Sequence, residues 1–350
     1  MIYIDGSEKS GSGTIVRYAI ALSSLLGEEI NISNIRAKRD KPGLRPQHLA
    51  SVAACARMCE AHVEGARVNS REISYRPGVW IKGGYYQLEI STAGSTTLLA
   101  MTLLPLALFA DEETTLRISG GLFQDFAPSA HHMRHVLFPT LEKMGIKAEM
   151  QVIRPGYVPT GGGVIEVKVK PIGCSIKPLR LLKQGKVEEV TGLALSSHLR
   201  EQKVSRRMAE ECQKVLAEKG YPARIETLWD ETALQAGASL AVWAETDAAC
   251  LLGSDQAGKR GRSSESIGRY VARNLLEDLQ TGATVDRYLA DQLIIYAALA
   301  RGTTEYFIPR RSEHIDANLW LVEKFGAITR IEGNSLHVEG LDFAGRTKAS

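Results

Sequence analysis

The sequence predicts a mixed α/β (α+β) protein: a large domain built from one βαβαββ-type unit used three times, with a smaller α/β domain inserted into the third copy. Three observations carry that prediction. Apolar patterning in the order β-α-β-α-β-β runs over residues 2–75 and returns over residues 85–170. A different order occupies the stretch that follows. The interrupted pattern then resumes after Asp286 with the almost unbroken apolar run Leu293-Ile-Ile-Tyr-Ala-Ala-Leu299. The expected domains are residues 1–177 together with 284–340, an insert of residues 178–283, and a short tail, 341–350, that is polar at its end and expected to fray.

Residues 2–5 read as a buried strand, residues 6–13 as a Gly/Ser loop and residues 14–26 as a helix carrying Arg17 on its first turns. A strand follows at 29–35. Gly43-Leu-Arg-Pro-Gln-His48 introduces a helix to about residue 62, with strands at 62–66 and 72–75. The second copy has strands at 85–90, 115–119, 147–153 and 164–170, with helices at 94–109 and 127–144. The third resumes with a helix ending at residue 299 and a β-branched and aromatic strand at 304–308. A helix at 314–325 and a closing strand pair, 327–331 and 335–339, complete it. The insert reads as a strand (188–195), an amphipathic helix (201–219), two strands (223–229, 238–245) and a helix (264–279). Gly253-Ser-Asp-Gln-Ala-Gly-Lys259 fits a phosphate-binding loop as far as its lysine, but Arg260 stands where a Ser or Thr must hold magnesium. It is read as a glycine-rich surface turn.

At 350 residues and 44% hydrophobic content the chain can bury an ordinary core, and its length suggests about two domains. No apolar run approaches the ~18–20 residues that would span a bilayer, and the N-terminus opens directly on a strand without signal-peptide regions. A cytoplasmic protein without a membrane partner is expected. Five cysteines, odd in number and widely spread, argue against a disulfide framework and for free buried thiols. A net charge of +3 is too small to show nucleic-acid binding by itself. The basic groups Arg36-Ala-Lys-Arg-Asp-Lys41 with Arg45, and Arg310-Arg311, are the more telling feature.

The stretch Asp286-Arg-Tyr-Leu-Ala-Asp-Gln292 is the polar lead-in to a buried helix and reads as a site. For Asp291-Gln292 the blander alternative is a helix N-cap and its neighbour. His314 falls at a strand-to-helix turn beside two arginines. His131 and His135, one helical turn apart, could bind a metal with His132 off their face, but without a third ligand an ordinary polar helix face is favoured.

Asp5-Gly6 before a glycine loop, Arg36-Ala-Lys-Arg39 with Pro42-Gly-Leu-Arg-Pro-Gln-His48, Thr92-Ala-Gly-Ser95, Arg154-Pro-Gly-Tyr-Val-Pro-Thr-Gly-Gly-Gly163, and Tyr288-Leu-Ala-Asp-Gln292 with His314 together resemble the RNA 3′-terminal phosphate cyclases. The resemblance covers nearly the whole chain. It implies a three-repeat domain shaped like the enolpyruvyl transferases. It also implies ATP-dependent conversion of an RNA 3′-phosphate to a 2′,3′-cyclic phosphate through a histidine–AMP intermediate. In that scheme His314 is the nucleophile, attacking the α-phosphorus of ATP. Tyr288, Leu289, Ala290, Asp291, Gln292 and Pro128 fall at nucleotide-contacting positions. Arg17, Arg36, Arg39, Arg45 and Gln47 are candidates for phosphate and RNA, because a guanidinium offers bidentate, charge-assisted bonds. RNA 3′-phosphate ends are the implied partner, and a homo-oligomer is compatible.

The chain also departs from the family pattern. Ser10 and Thr14 stand where the first loop usually has a glutamate and a glutamine, so Glu8 is the available substitute for positioning a divalent cation, Mg or Mn. Met101 replaces a nucleotide-contacting glutamine. The stretch Leu122-Phe-Gln-Asp-Phe-Ala-Pro-Ser-Ala-His-His132 replaces a more polar one. Two alternatives remain: a non-catalytic cyclase-like RNA-binding protein in ribonucleoprotein assembly, against which His314 counts, and an enolpyruvyl-transferase-like enzyme suggested by architecture alone. The absence of Lys-x-Asp-Gly argues against a lysine-adenylating ligase.

Overall fold

The computed structural model describes residues 1–345. Three four-stranded sheets repeat one connectivity. In the first, β1 (Ile2–Asp5), α1 (Gly13–Leu26), β2 (Ile30–Ser33), α2 (Pro46–Cys59), β3 (His62–Glu64) and β4 (Ile73–Arg76) give the spatial order β1-β2-β4-β3. In the second, β5 (Gly84–Glu89), α3 (Thr96–Leu108) and β6 (Thr114–Gly120) precede an interrupted helix. That helix comprises α4 (Ala130–His132), a π-turn over Met133–Leu137 and α5 (Phe138–Lys143). β7 (Ala148–Arg154) and β8 (Gly163–Val169) close the sheet in the order β5-β6-β8-β7.

The third sheet begins with β9 (Arg180–Leu181). A separate unit follows: β10 (Val187–Ser197), α6 (Val204–Ala217), β11 (Ala223–Asp230), β12 (Gly237–Thr246), β13 (Leu251–Ala257) and α7 (Ser264–Gln280). The chain then returns through α8 (Leu289–Gln292), α9 (Ile294–Leu299), β14 (Thr303–Phe307), α10 (Glu313–Lys324), β15 (Ile328–Glu332) and β16 (Ser335–Glu339). β9 pairs parallel with β14, and the order β9-β14-β16-β15 matches the other two sheets. Residues 180–181 thus belong to the third sheet, a few residues beyond the boundary expected at 178. The insert sheet has the order β11-β10-β12-β13.

α1, α3 and α9 are apolar almost all round. Every residue of α9 is buried and nearly every residue of α1 and α3 is, so these helices form the interior and α1 packs against α2, α3 and α10. Ser12 and Ser95 cap α1 and α3 through their side-chain oxygens, which explains why helices this apolar start where they do.

Two expectations fail here. Residues 251–257 form β13, paired antiparallel with β12, where a surface turn was expected. Gly253 is needed for close approach: a Cβ there would lie 2.7 Å from Val136 and 2.9 Å from the His132 ring. The tail does not fray over its first residues, since Leu341 and Phe343 donate to Ala298 and Leu299 and Phe343 packs edge-on against Phe109. The rest of that expected tail, residues 346–350, lies outside the described residues. Cys55, Cys59, Cys212 and Cys250 are free and buried, whereas Cys174 is exposed.

Candidate active site

His314 sits in the first turn of α10, after the N-cap Ser312, whose Oγ accepts from the Ile315 N–H at 3.2 Å. One turn on, Asn318 ties three elements together. Its Nδ2 donates to the Asp291 carbonyl at 3.1 Å, and its Oδ1 accepts from Thr14 Oγ1 at 3.2 Å. α10 is thereby fixed to α1 and α8. Between them opens a cleft of about 610 Å³, a volume typical of small-molecule sites. It brings together Arg17, Met101, Pro128, Tyr288, Asp291, Gln292 and His314, seven residues that sequence reasoning selected.

His314 stays exposed at this opening, yet the surrounding protein desolvates it. That burial, reinforced by the positive charges of Arg17 and Arg39, lowers its pKa and keeps the imidazole neutral. Asp291 shows the converse effect. Burial raises its carboxyl to about 7 against the pull of Arg17. Arg17 is itself lowered by burial but remains a guanidinium cation. Gln292 is buried, with an Oε1 that has no partner among the described residues, an acceptor left for something that enters the cleft.

The wall behind Tyr288 rests on contacts that the sequence did not reveal. Asp286 is fully buried; its Oδ1 accepts from the Tyr288 and Leu289 N–H groups at 2.8 Å each. It is the helix-capping carboxylate, a role the sequence offered to Asp291. Its Oδ2 accepts from Gly253 N at 2.8 Å and pairs with His132 Nε2 at 3.0 Å. Burial disfavours both charges, but each holds the other: His132 is raised and Asp286 lowered, so this is a buried ion pair. His132 is therefore the structurally decisive histidine of its helix. His131 is buried against Phe123 and His135 stacks on Trp243, which corrects the expected polar face. Apolar Leu251-Leu252 and Ala257 flanking the glycine were the signal for β13, and with it for Asp255, whose Oδ2 accepts from Ser129 N at 2.9 Å beside the cleft.

Other selected residues lie elsewhere or are already engaged. Leu289 and Ala290 are fully buried and do not face the cleft. Arg36 Nη1 donates to the Lys41 and Gly43 carbonyls at 2.6 and 3.1 Å, and Arg45 Nη1 donates to Asn69 at 2.8 Å. Gln47 Oε1 accepts from Ser95 N at 3.3 Å. Arg39 is exposed and near enough to lower His314 electrostatically. Arg311 pairs with Asp316, leaving Arg310 of that arginine pair on the cleft. Glu8 lies exposed in the turn after β1 and does not line the cleft. Among the described residues no three His, Cys, Asp or Glu side chains gather in a group that could hold a metal ion.

The chain is 38% identical over 335 residues to an RNA 3′-terminal phosphate cyclase of Pyrococcus furiosus, covering 95% of the chain and 96% of the relative. Relatives of the same name from Methanosarcina barkeri and Korarchaeum cryptofilum are 39% and 37% identical, each over 325 residues and 93% of the chain, covering 94% and 92% of their own lengths. A family description, RNA 3′-terminal phosphate cyclase, matches residues 8–330, a span that takes in the cleft, the insert and His314. With this match over nearly its whole length, the chain belongs to the RNA 3′-terminal phosphate cyclase family.

Proposed function

We propose that the protein converts RNA 3′-terminal phosphates to 2′,3′-cyclic phosphates at the expense of ATP, with His314 as the covalent nucleophile. The observation that carries this reading is the placement of His314 in the first turn of α10, on a cleft it shares with Arg17. A neutral imidazole nitrogen can attack the α-phosphorus of ATP: the N–P bond forms, the bond to the β-phosphate oxygen breaks, and pyrophosphate leaves. An RNA 3′-phosphate oxygen then displaces the imidazole from that phosphorus. Finally the neighbouring 2′-hydroxyl attacks the 3′-phosphorus, loses its proton to solvent and expels AMP, a step favoured by its intramolecular geometry.

The residues divide the work by chemistry. Arg17 and Arg310 supply positive charge for phosphates, and the α10 N-terminus adds N–H groups that favour an anion. Tyr288 and Pro128 offer flat apolar faces to a base, and the unpartnered Gln292 Oε1 suits an amino group. Asp291, titrating near 7, can accept a hydrogen bond or give one near neutrality. Met101 removes a hydrogen-bonding choice at the cleft wall. The reading extends to the fold: the three like-connected sheets are copies of one unit of the enolpyruvyl-transferase kind, with the insert as a domain of its own.

The test is transfer of label from α-labelled ATP to protein in the absence of RNA. Wild type should form an acid-labile, base-stable adduct, and His314→Asn should lose it while keeping the same melting profile. Equal labelling of the two proteins removes His314 from the chemistry.

A further inference from the structure

At the solvent edge of the cleft stands an aromatic side chain that the reaction above leaves unused. Phe126 lines the cleft, is 103% exposed, and holds φ at +65°, in the left-handed region that a bulky residue avoids. Among the described residues nothing gains from a phenyl ring there: it buries no apolar area, and Gly or Asn would take the same turn with less strain.

The strained residue is held from both sides. Asp125 makes a bidentate pair with Arg262 at 2.9 and 3.1 Å, and Arg262 Nη1 also donates to the Ala257 carbonyl at 2.7 Å. On the other flank Thr97 Oγ1 donates to the Pro128 carbonyl at 2.7 Å. Strain that the surroundings enforce at the edge of a site points to a use for the residue it presents.

We propose that Phe126 is a stacking platform for a base at the 3′ end of the RNA, an inference that rests on the function proposed above. Every base has a π-face, so one aromatic ring accepts any of them, as in sequence-tolerant binding of single strands. The position selects RNA over the adenine of ATP. Pro128 and Tyr288 wall the cavity that the proposed function gives to the nucleotide, whereas the Phe126 ring lies wholly in solvent, where a chain leading out of the cleft can cover it. Arg310, exposed on the same cleft and engaged by no hydrogen bond or ion pair among the described residues, supplies charge for that chain's phosphates.

The test uses the full chain and a short single-stranded RNA with a 3′-phosphate. Phe126→Ala should raise KM for RNA about tenfold or more, the usual cost of losing one base stack, while KM for ATP in RNA-free adenylation moves by less than about threefold. Phe126→Trp should restore binding. An RNA lacking the bases of its last two nucleotides should cost wild type about the same factor, and Phe126→Ala should not distinguish it from the intact RNA. Phe126→Gly relieves the backbone, so it should melt no lower than wild type and still bind RNA weakly. An unchanged KM for RNA, a KM for ATP rising in step, or a destabilised Phe126→Gly overturns the platform. Failure of wild type to adenylate would instead sink the function proposed above, so the two failures are told apart.

Discussion

The loop of residues 36–48 and the cleft between α1, α8 and α10 each gather several charged side chains, and they hold them in opposite ways. In the loop, Arg36 closes its own turn through two backbone carbonyls, Arg45 holds Asn69, and His48 Nδ1 accepts from Arg45 N at 3.1 Å. Those groups are already satisfied. In the cleft, Arg17, Asp291 and His314 are desolvated yet make no side-chain ion pair among the described residues, and burial is the largest cause of each pKa shift. A charge whose partners are backbone atoms serves the fold, whereas a desolvated charge without a partner is held for something else. The comparison predicts that loop substitutions act first on stability and cleft substitutions first on chemistry.

One cleft-side pair breaks that rule. Asp286 holds two α8 N–H groups, the Gly253 N–H and the His132 cation with one carboxylate. Asp286→Asn removes the carboxylate that holds the His132 proton in a buried site and turns an amide donor toward another donor, so stability should fall by about 3 kcal/mol or more. Thermal melting checks this, with a drop of several degrees expected. A variant melting like wild type would show that the pair is neutral in the folded protein.

Asp291 sharpens the contrast through pH. Its folded carboxyl titrates near 7, above the ordinary 3.8, so between those values the folded state keeps a proton that the unfolded chain releases. Stability contributed by this group is present at low pH and declines as pH rises toward 7. Wild type should therefore lose on the order of 2 kcal/mol relative to Asp291→Asn between about pH 5 and pH 8. Denaturant titrations at the two pH values measure it, and parallel losses in both proteins would place the carboxylate in ordinary solvent.

Within the loop the comparison divides Arg36 from Arg39. Arg36→Ala should lower stability by about 1–2 kcal/mol, because two carbonyls lose a charge-assisted donor. Arg39, exposed and electrostatically close to His314, should instead act on RNA: Arg39→Gln is expected to weaken binding and reduce the salt slope by about one. Identical salt slopes would move the RNA path away from this loop.

How much of this was legible in sequence follows from the range of the interactions. The mixed succession of strands and helices was readable, because apolar periodicity is local. Seven cleft residues were readable through short motifs. The His132–Asp286 pair was not: its partners are 154 positions apart, and the neighbouring His131 and His135 drew attention by helical spacing. Asp255 was hidden because Gly253, which reads as a turn, is there to admit the His132 helix. The engagement of Arg36 and Arg45 was equally invisible, since an arginine that closes a loop and one that awaits a phosphate look alike in sequence.

The smallest expected effect concerns Glu8. In sequence it was the one carboxylate able to replace the family's loop glutamate as a metal ligand. In the structure the loop turns it outward: Glu8 N donates to the Asp5 carbonyl at 3.1 Å, the side chain is exposed, and Ser10 and Ser12 bond each other at 2.9 Å on the inner side. A hard cation needs oxygen ligands within about 2.0–2.6 Å, and a lone solvated carboxylate offers too little to hold one against water. Glu8→Gln should therefore leave the metal dependence of adenylation superimposable on that of wild type, with stability within about 0.5 kcal/mol, as for most surface changes. A rightward shift of the metal titration in Glu8→Gln would mean that the loop refolds around a cation when nucleotide binds. That would make the first glycine loop, like the cleft, a place where charge is held for a ligand.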